Sequence, residues 1–332
     1  MSAHKASPSA PTSPEVPRPS SSVMILSPVN QLLLLHRVRT SRAFASAHVF
    51  PGGALSEYHE RVPPVDAPDR HRDSETYRLA AVREAFEESG ILLARRKGEA
   101  GSSLLALAPD VKEAGRKAIH NDKIRFTDWL DSVDAEPDLD GLVPFTRWIT
   151  PPSSPRRFSV QMYVYMLPLD AAPSTYDAAH DGGLEHTSAE WDNVSVWAER
   201  ARTGDMIAYE PQVFLLAMLA RYLTGPGDYA AQRAALLEFI YQMPTGTSSH
   251  PTARISWADK VMGPYYLPIS RQDGRMALAL EEPGPELEGS DRGGDYDRVV
   301  LVNNGDGGPR HSEVRWRDEV LAEDDSDRVG KL

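Results

Sequence analysis

Arg83-Glu84-Ala85-Phe86-Glu87-Glu88-Ser89-Gly90-Ile91 decides how this chain is read. Glu84, Glu87 and Glu88 stand three and four residues apart, so on a helix their carboxylates share one face, with Leu79, Val82 and Phe86 on the opposite face. Gly90 is placed for a left-handed C-terminal cap. Like charges at these spacings oppose one another by about 0.2–0.5 kcal/mol per pair. Such clustering points to a cation that neutralises it.

Upstream, Ala47-His48-Val49-Phe50 reads as a strand ending in Pro51-Gly52-Gly53, a tight loop whose amides could face a ligand. A hard cation such as Mg2+ binds carboxylate oxygen and leaves positions open for phosphate and water. With such a cation, hydrolysis of a diphosphate is the simplest chemistry. His48 adjoins the loop and is a candidate for lining the cleft, whereas His36, His59 and His71 have no ligand spacing.

Composition narrows the rest. Acids outnumber bases 48 to 36, a net charge of −12, which disfavours a polynucleotide partner and leaves a small anionic substrate open. The chain has no cysteine, so any metal must sit on oxygen or imidazole. No apolar run reaches the length of a membrane-spanning helix.

Along the chain, Met1 to Ser22 is rich in Ser and Pro and reads as a disordered tail. Val23–Leu26 and Leu32–Leu35 read as paired strands opening a domain of residues 23–244. Residues 54–74 read as a surface excursion. Pro109–His120, Phe126–Val133, Gln212–Leu223 and Tyr229–Met243 read as helices, and Phe145–Thr150 and Phe158–Met166 as strands, the latter with one strongly buried face. Residues 245–332 form a β-rich extension: strands at Arg275–Leu280 and Asp297–Val302, a Gly-rich turn at 303–308, and mobile acidic stretches at Glu281–Asp295 and from Glu323.

The chain resembles the Nudix superfamily, whose box is Gly-x5-Glu-x7-Arg-Glu-U-x-Glu-Glu-x-Gly-U, with U a bulky apolar residue. Gly53, Glu75, Arg83, Glu84, Glu87, Glu88, Gly90 and Ile91 match it, while Ala85 is small for U and 21 residues, Ala54 to Ser74, fill the first spacer. A similarly split box occurs in the branch that includes the peroxisomal acyl-coenzyme A diphosphatases. That branch is also similar at Ala47 to Gly53 and at Trp148-Ile149-Thr150-Pro151 through Pro155-Arg156-Arg157-Phe158.

The resemblance implies a Nudix α/β/α sandwich, a mixed sheet between helices, with a C-terminal β extension. It implies Mg2+ or Mn2+ held chiefly by Glu87 and Glu88, with Glu84 a further ligand or water-positioning group. Arg83 would tie helix to loop, Glu75 would orient that arginine or reach the metal through water, and Gly53 would supply a carbonyl or close approach. Glu185 and Glu190 are candidates for a general base, and Gly52, Arg156 and Arg157 for holding phosphates.

The implied substrate is coenzyme A or an acyl-coenzyme A. However, the Gly-Gln-Val-Ala segment that precedes Phe-Pro-Gly-Gly in many coenzyme A-cleaving members is replaced by Phe44-Ala45-Ser46-Ala47-His48-Val49. A dinucleotide or nucleotide-sugar hydrolase therefore stays open, as does a non-catalytic binding module. Gly330-Lys331-Leu332 differs by one residue from the Ser-Lys-Leu peroxisomal address, leaving peroxisomal, mitochondrial and cytoplasmic locations open.

Overall fold

The computed structural model describes residues 14–41, 44–99, 103–179, 185–305 and 307–329, the last five without their side chains. Met1 to Ser13, Asp306 in the Gly-rich turn and the Gly330-Lys331-Leu332 ending lie outside the described residues.

The first strand, β1, runs Arg18–Leu26, followed by β2 Gln31–Arg37, β3 His48–Val49 and β4 Gly52–Ala54. Then come α1 Glu75–Ser89, β5 Ala94–Arg96, α2 Pro109–His120, α3 Phe126–Ser132, β6 Ala135–Pro137, β7 Leu142–Ile149 and β8 Phe158–Met166. β9 His186–Asn193, α4 Val194–Thr203, α5 Glu210–Leu219 and α6 Tyr229–Tyr241 follow. The extension contributes β10 Val261–Met262, β11 Tyr265–Tyr266, β12 Met276–Leu280, β13 Asp295–Gly305, β14 Gly308–Trp316 and α7 Arg317–Val329.

One mixed, eight-stranded sheet organises the molecule, in the order β10-β7-β8-β1-β2-β3 with β4 added on β1 and β9 on β2. β1 and β2 meet in register only at Leu26 and Leu32. Beyond that pair they diverge, β1 running parallel with β8 from Arg18↔Phe158 to Leu26↔Met166 and β2 antiparallel with β9. The opening between them is where β4 inserts its two glycines, opposite Ser21 and Ser22.

The period-two alternation of the strands assigns side chains to two helical layers. Met24, Leu26, Leu32, Leu34, Met162 and Val164 pack beneath α4, α5 and α6. Val23, Ile25, Leu33, Leu35, Tyr163 and Tyr165 pack beneath α1, α2 and α3. This is the expected α/β/α sandwich. Fully burying one such Leu or Phe contributes about 1.5–3 kcal/mol, and the α1 layer gains a stacked pair, Phe86 on Trp129 at 4.7 Å.

Several expectations need correction. The tail ends earlier than Ser22: β1 begins at Arg18, and Ser20, Ser21 and Ser22 are buried. Serine composition misleads there because small side chains are what the approach of β4 demands; a Cβ on Gly52 would fall 2.4 Å from the Ser21 carbonyl. β8 is covered on both faces, since Ser159 and Gln161 are buried as well as Met162 and Val164. Helix α4 was not anticipated at all, and the helix at α5 begins at Glu210.

The 54–74 segment is folded down rather than looped into solvent, with His59, Glu60 and Arg70 buried. The His59 ring accepts from the Phe126 amide at 3.1 Å, and His71 bonds Ser159 at 2.9 Å.

The extension is likewise integral. β10 continues the main sheet, parallel to β7, while Leu278, Leu280, Val300 and Val302 of the second sheet, β11-β12-β13-β14, join the α4–α6 core. Glu281–Asp295 is anchored: the Gly263 amide donates to the Glu282 carbonyl at 2.6 Å, and Glu286 pairs with Arg157. The segment from Glu323 belongs to α7, where Glu323 meets Arg271 and Arg315 at 2.9 and 3.0 Å.

Candidate active site

α1 lies against β1 and β4 with its C-terminal half over the two glycines. Gly90 ends it at φ 72, its amide donating to Phe86. An i,i+4 pair on a helix is separated by only about 40° around the axis, whereas neighbours differ by about 100°. Glu84 and Glu88 therefore point together into a cleft of about 1290 Å³ and line it with Gly52 and Gly53. The Gly52 amide donates to Glu88 Oε2 at 2.8 Å. Gly53 sits so close to Glu84 that a Cβ would fall 2.5 Å from its Oε1.

Glu87 departs from the expected trio. It does not line the cleft; it accepts from Arg83 Nη1 at 2.8 Å and lies 3.4 Å from His120 Nδ1. Among the described residues no three carboxylate or imidazole groups converge closely enough to hold a metal by themselves. The facing pair is Glu84 and Glu88.

Arg83 does tie helix to loop, and its main partner is one that sequence matching missed. Its Nε donates to Glu60 Oε1 at 2.6 Å and its Nη2 to the Ala54 carbonyl at 3.3 Å, with Glu60 fully enclosed. Glu75, the residue matched to the box, is exposed in the first turn of α1, where it suits the helix dipole, and among the described residues it forms no ion pair with Arg83. Glu60 lies inside the long spacer, so only the folded path of the insert brings it there.

Three buried or nearly buried carboxylates, Glu60, Glu84 and Glu87, thus surround the Arg83 guanidinium, while Glu88 lies beside Glu84 with His186 3.6 Å away. Burial pushes the Glu84 carboxyl up to about 7, Arg83 opposing and Glu87 and Glu60 reinforcing the shift. Burial also raises Glu88 well above the carboxylate range, Glu84 adding to it while the Gly52 amide pulls the other way. Burial works against the charge of Arg83, but Glu84, Glu60 and Glu87 together hold it firmly protonated. Hard oxygen donors, buried side by side and short of positive charge, fit a divalent cation.

A stability prediction follows for protein kept in chelator. A carboxyl raised from its ordinary 4.5 to about 7 favours the folded state below about pH 4.5, and that contribution is lost as pH rises through about 7. Wild-type Tm should fall more steeply between about pH 5 and 8 than that of Glu84→Gln; parallel curves would contradict the assignment.

Of the two base candidates, Glu185 lines the cleft, paired with Arg37 at 3.0 Å, whereas Glu190 lies on β9 near Arg200 and Ser188 away from it. His186, fully buried, has Nε2 3.6 Å from Glu88 Oε1. Neither Arg37 nor His186 was expected. Both stand at a position paired across β2 and β9, a proximity with no local sequence signal.

His48 is not in the cleft. It packs between His36 at 4.7 Å and Trp197 at 5.8 Å, and burial pushes its imidazole down to about 4. Arg157 is also committed elsewhere, donating to Glu286, to the Thr150 carbonyl at 2.9 Å and to the Glu15 carbonyl at 2.9 Å, so it clamps the extension instead of holding phosphate. Arg156 is exposed and does not line the cleft.

Residues 66–219 match the family model described as the NUDT19 Nudix domain. The acyl-coenzyme A diphosphatase NUDT19 of Homo sapiens is 26% identical over 234 residues, covering 58% of this chain and 61% of that protein. The Gallus gallus protein of the same name is 24% identical, covering 58% and 61%. The matched region thus spans about three fifths of each relative. The crystal structure of a NUDIX hydrolase from Alicyclobacillus acidocaldarius superposes with a TM-score of 0.50 at 22% identity, covering 65% of this chain and 96% of that one, a likeness of fold.

Proposed function

We propose that this chain, whose residues 66–219 match the NUDT19 Nudix domain, is a Nudix hydrolase that cleaves the diphosphate of coenzyme A or an acyl-coenzyme A. The products would be 3',5'-ADP and the (acyl-)phosphopantetheine. The observation that carries this reading is the Glu84 and Glu88 pair at one end of a cleft whose remaining walls are largely apolar.

Mg2+ or Mn2+ held by Glu84 and Glu88 would neutralise the bridging phosphates and make water a competent nucleophile at neutral pH. The residues of the chain do the positioning. Arg83, fixed by Glu60, holds the helix to the loop; Gly53 lets the Glu84 carboxylate lie flat against the backbone; the Gly52 amide orients Glu88. Glu185, held by Arg37 and lining the same cleft, would take a proton from the attacking water.

Away from the carboxylates, Trp148, Phe158, Val160 and Met162 of the main sheet face Tyr265, Leu278 and Leu287 of the extension across the cleft. Such a wall suits a pantetheine arm and an acyl chain, because removing apolar surface from water is favourable by about 25 cal/mol per Å2. A second reading, cleavage of a dinucleotide or nucleotide sugar, is favoured by the absence of the Gly-Gln-Val-Ala segment before Phe50.

The test is a substrate panel with Mg2+ or Mn2+, products identified by mass. Release of 3',5'-ADP from coenzyme A or its acyl esters is expected, and no coenzyme A cleavage beside turnover of a dinucleotide would replace the first reading with the second. Gly53→Ala should lower kcat about a hundred-fold while leaving the fold intact, because a displacement of about 1 Å at a catalytic group costs that much. Unaltered kcat would mean that the Glu84 position does not matter.

A further inference from the structure

A second cavity, of about 520 Å³, opens where the box insert meets the extension, and it shares Ser290 and Arg292 with the catalytic cleft. Three guanidinium groups from distant parts of the chain line it: Arg72 of the insert, Arg254, and Arg292 of the Glu281–Asp295 segment. None of the three makes an ion pair among the described residues. Arg292 donates only to backbone, to the Asp259 carbonyl at 3.0 Å and the His71 carbonyl at 3.5 Å. Arg72 and Arg254 are exposed at the cavity rim.

The contrast within the molecule is informative. Arg83, Arg157, Arg271, Arg275 and Arg315 all meet carboxylates. In a chain with a net charge of −12, the gathering of three arginines without carboxylate partners in one cavity is an unneutralised positive patch. The acids that share the lining do not cancel them: Asp259 accepts from Ser256 at 2.7 Å, and with Asp291 supplies two carboxylates against three guanidiniums. Near enough to act on Arg292 lies Arg147, buried, its Nη1 donating to Ser159 at 3.2 Å and its Nε and Nη2 unpartnered among the described residues. Burial, then Arg72 and Arg147, weakens the hold of Arg292 on its proton, so an anion would relieve crowding already present.

We propose that this cavity is a second anion subsite of the enzyme, taking a phosphate monoester on the nucleotide end of the substrate through Arg72, Arg254 and Arg292. Guanidinium groups suit phosphate because their donors match its oxygens in a bidentate manner. The subsite joins the two departures of this chain from a compact box, the long insert and the extension, and gives both a common purpose. It rests on the reading of the cleft as a coenzyme A site, whose 3'-phosphate is the group in question.

Calorimetric titration of the full chain in chelator with 3',5'-ADP and with 5'-AMP tests it without requiring turnover. Wild type should bind 3',5'-ADP at least tenfold more tightly. The Arg72→Ala, Arg254→Ala double variant, altered only at exposed positions, should bind the two nucleotides alike, with 5'-AMP affinity unchanged. Equal affinities in wild type, or a preference that survives in the double variant, would overturn the proposal. Inorganic phosphate is the third titrant: binding of free phosphate lost in the variant, with no preference between the nucleotides, would identify an anion site unrelated to substrate and also overturn it. A preference for 3',5'-ADP in a protein that fails to cleave coenzyme A would leave the subsite standing and remove the reaction assignment instead.

Discussion

Glu88→Gln should reduce turnover by about a thousand-fold or more, equivalent to about 4 kcal/mol of transition-state stabilisation, while the fold survives. The carboxylate is buried, held by the Gly52 amide, and adjacent to Glu84, so removing its charge removes half of the oxygen pair that faces the cleft. The amide is isosteric and lacks the charge, which separates chemistry from packing. Removing the charge should even raise the Tm of metal-free protein, since burial and then the neighbouring Glu84 hold the Glu88 carboxyl well above its ordinary range. Steady-state kinetics with thermal melts would check both. By contrast, Glu87→Gln, which alters an ion pair with Arg83 outside the cleft, should cost about tenfold or less, since a positioning contact is worth about 1 kcal/mol. Equal losses in the two variants would mean that Glu87 belongs to the site after all.

Glu60→Ala should destabilise the protein by about 3 kcal/mol, because removing one member of a buried ion pair leaves the other insufficiently compensated. Glu60 is wholly enclosed and bonds both Nε and Nη2 of Arg83, at 2.6 and 3.3 Å. Glu75→Ala should change stability by no more than about 0.5 kcal/mol, the usual scale at an exposed helix N-terminus. Chemical denaturation of the two variants checks this contrast. A larger effect at Glu75 than at Glu60 would restore the box glutamate to the role that spacing suggests for it.

That contrast marks where the sequence stops being legible. Features set by local chemistry can be read: the alternation in β8, the Gly90 cap, the glutamates of α1 and the hairpin of β13 and β14 all follow from periodicity and turn residues. Features set by partners far along the chain cannot. Arg157 has the guanidinium a phosphate site would want, but its carboxylate partner lies 129 residues away. Glu60 carries no signal of its own, since only the folding of the 54–74 insert brings it under Arg83. The cluster of three glutamates was legible as a cluster, yet the difference of about 100° between adjacent positions on a helix, together with the reach of Arg83, decides which two face the cleft. Ser20 to Ser22 looked like tail because serine is common in tails; the reason for serine there is the close approach of β4.

The most direct test of the central claim is Mn2+ binding to the full chain, followed by paramagnetic resonance of the free ion, in wild type, Glu84→Gln with Glu88→Gln, and Glu87→Gln. One tight site should be present in wild type, lost in the double variant and retained in Glu87→Gln within a few-fold. Retention of the site in the double variant, or its loss in Glu87→Gln alone, would contradict the account.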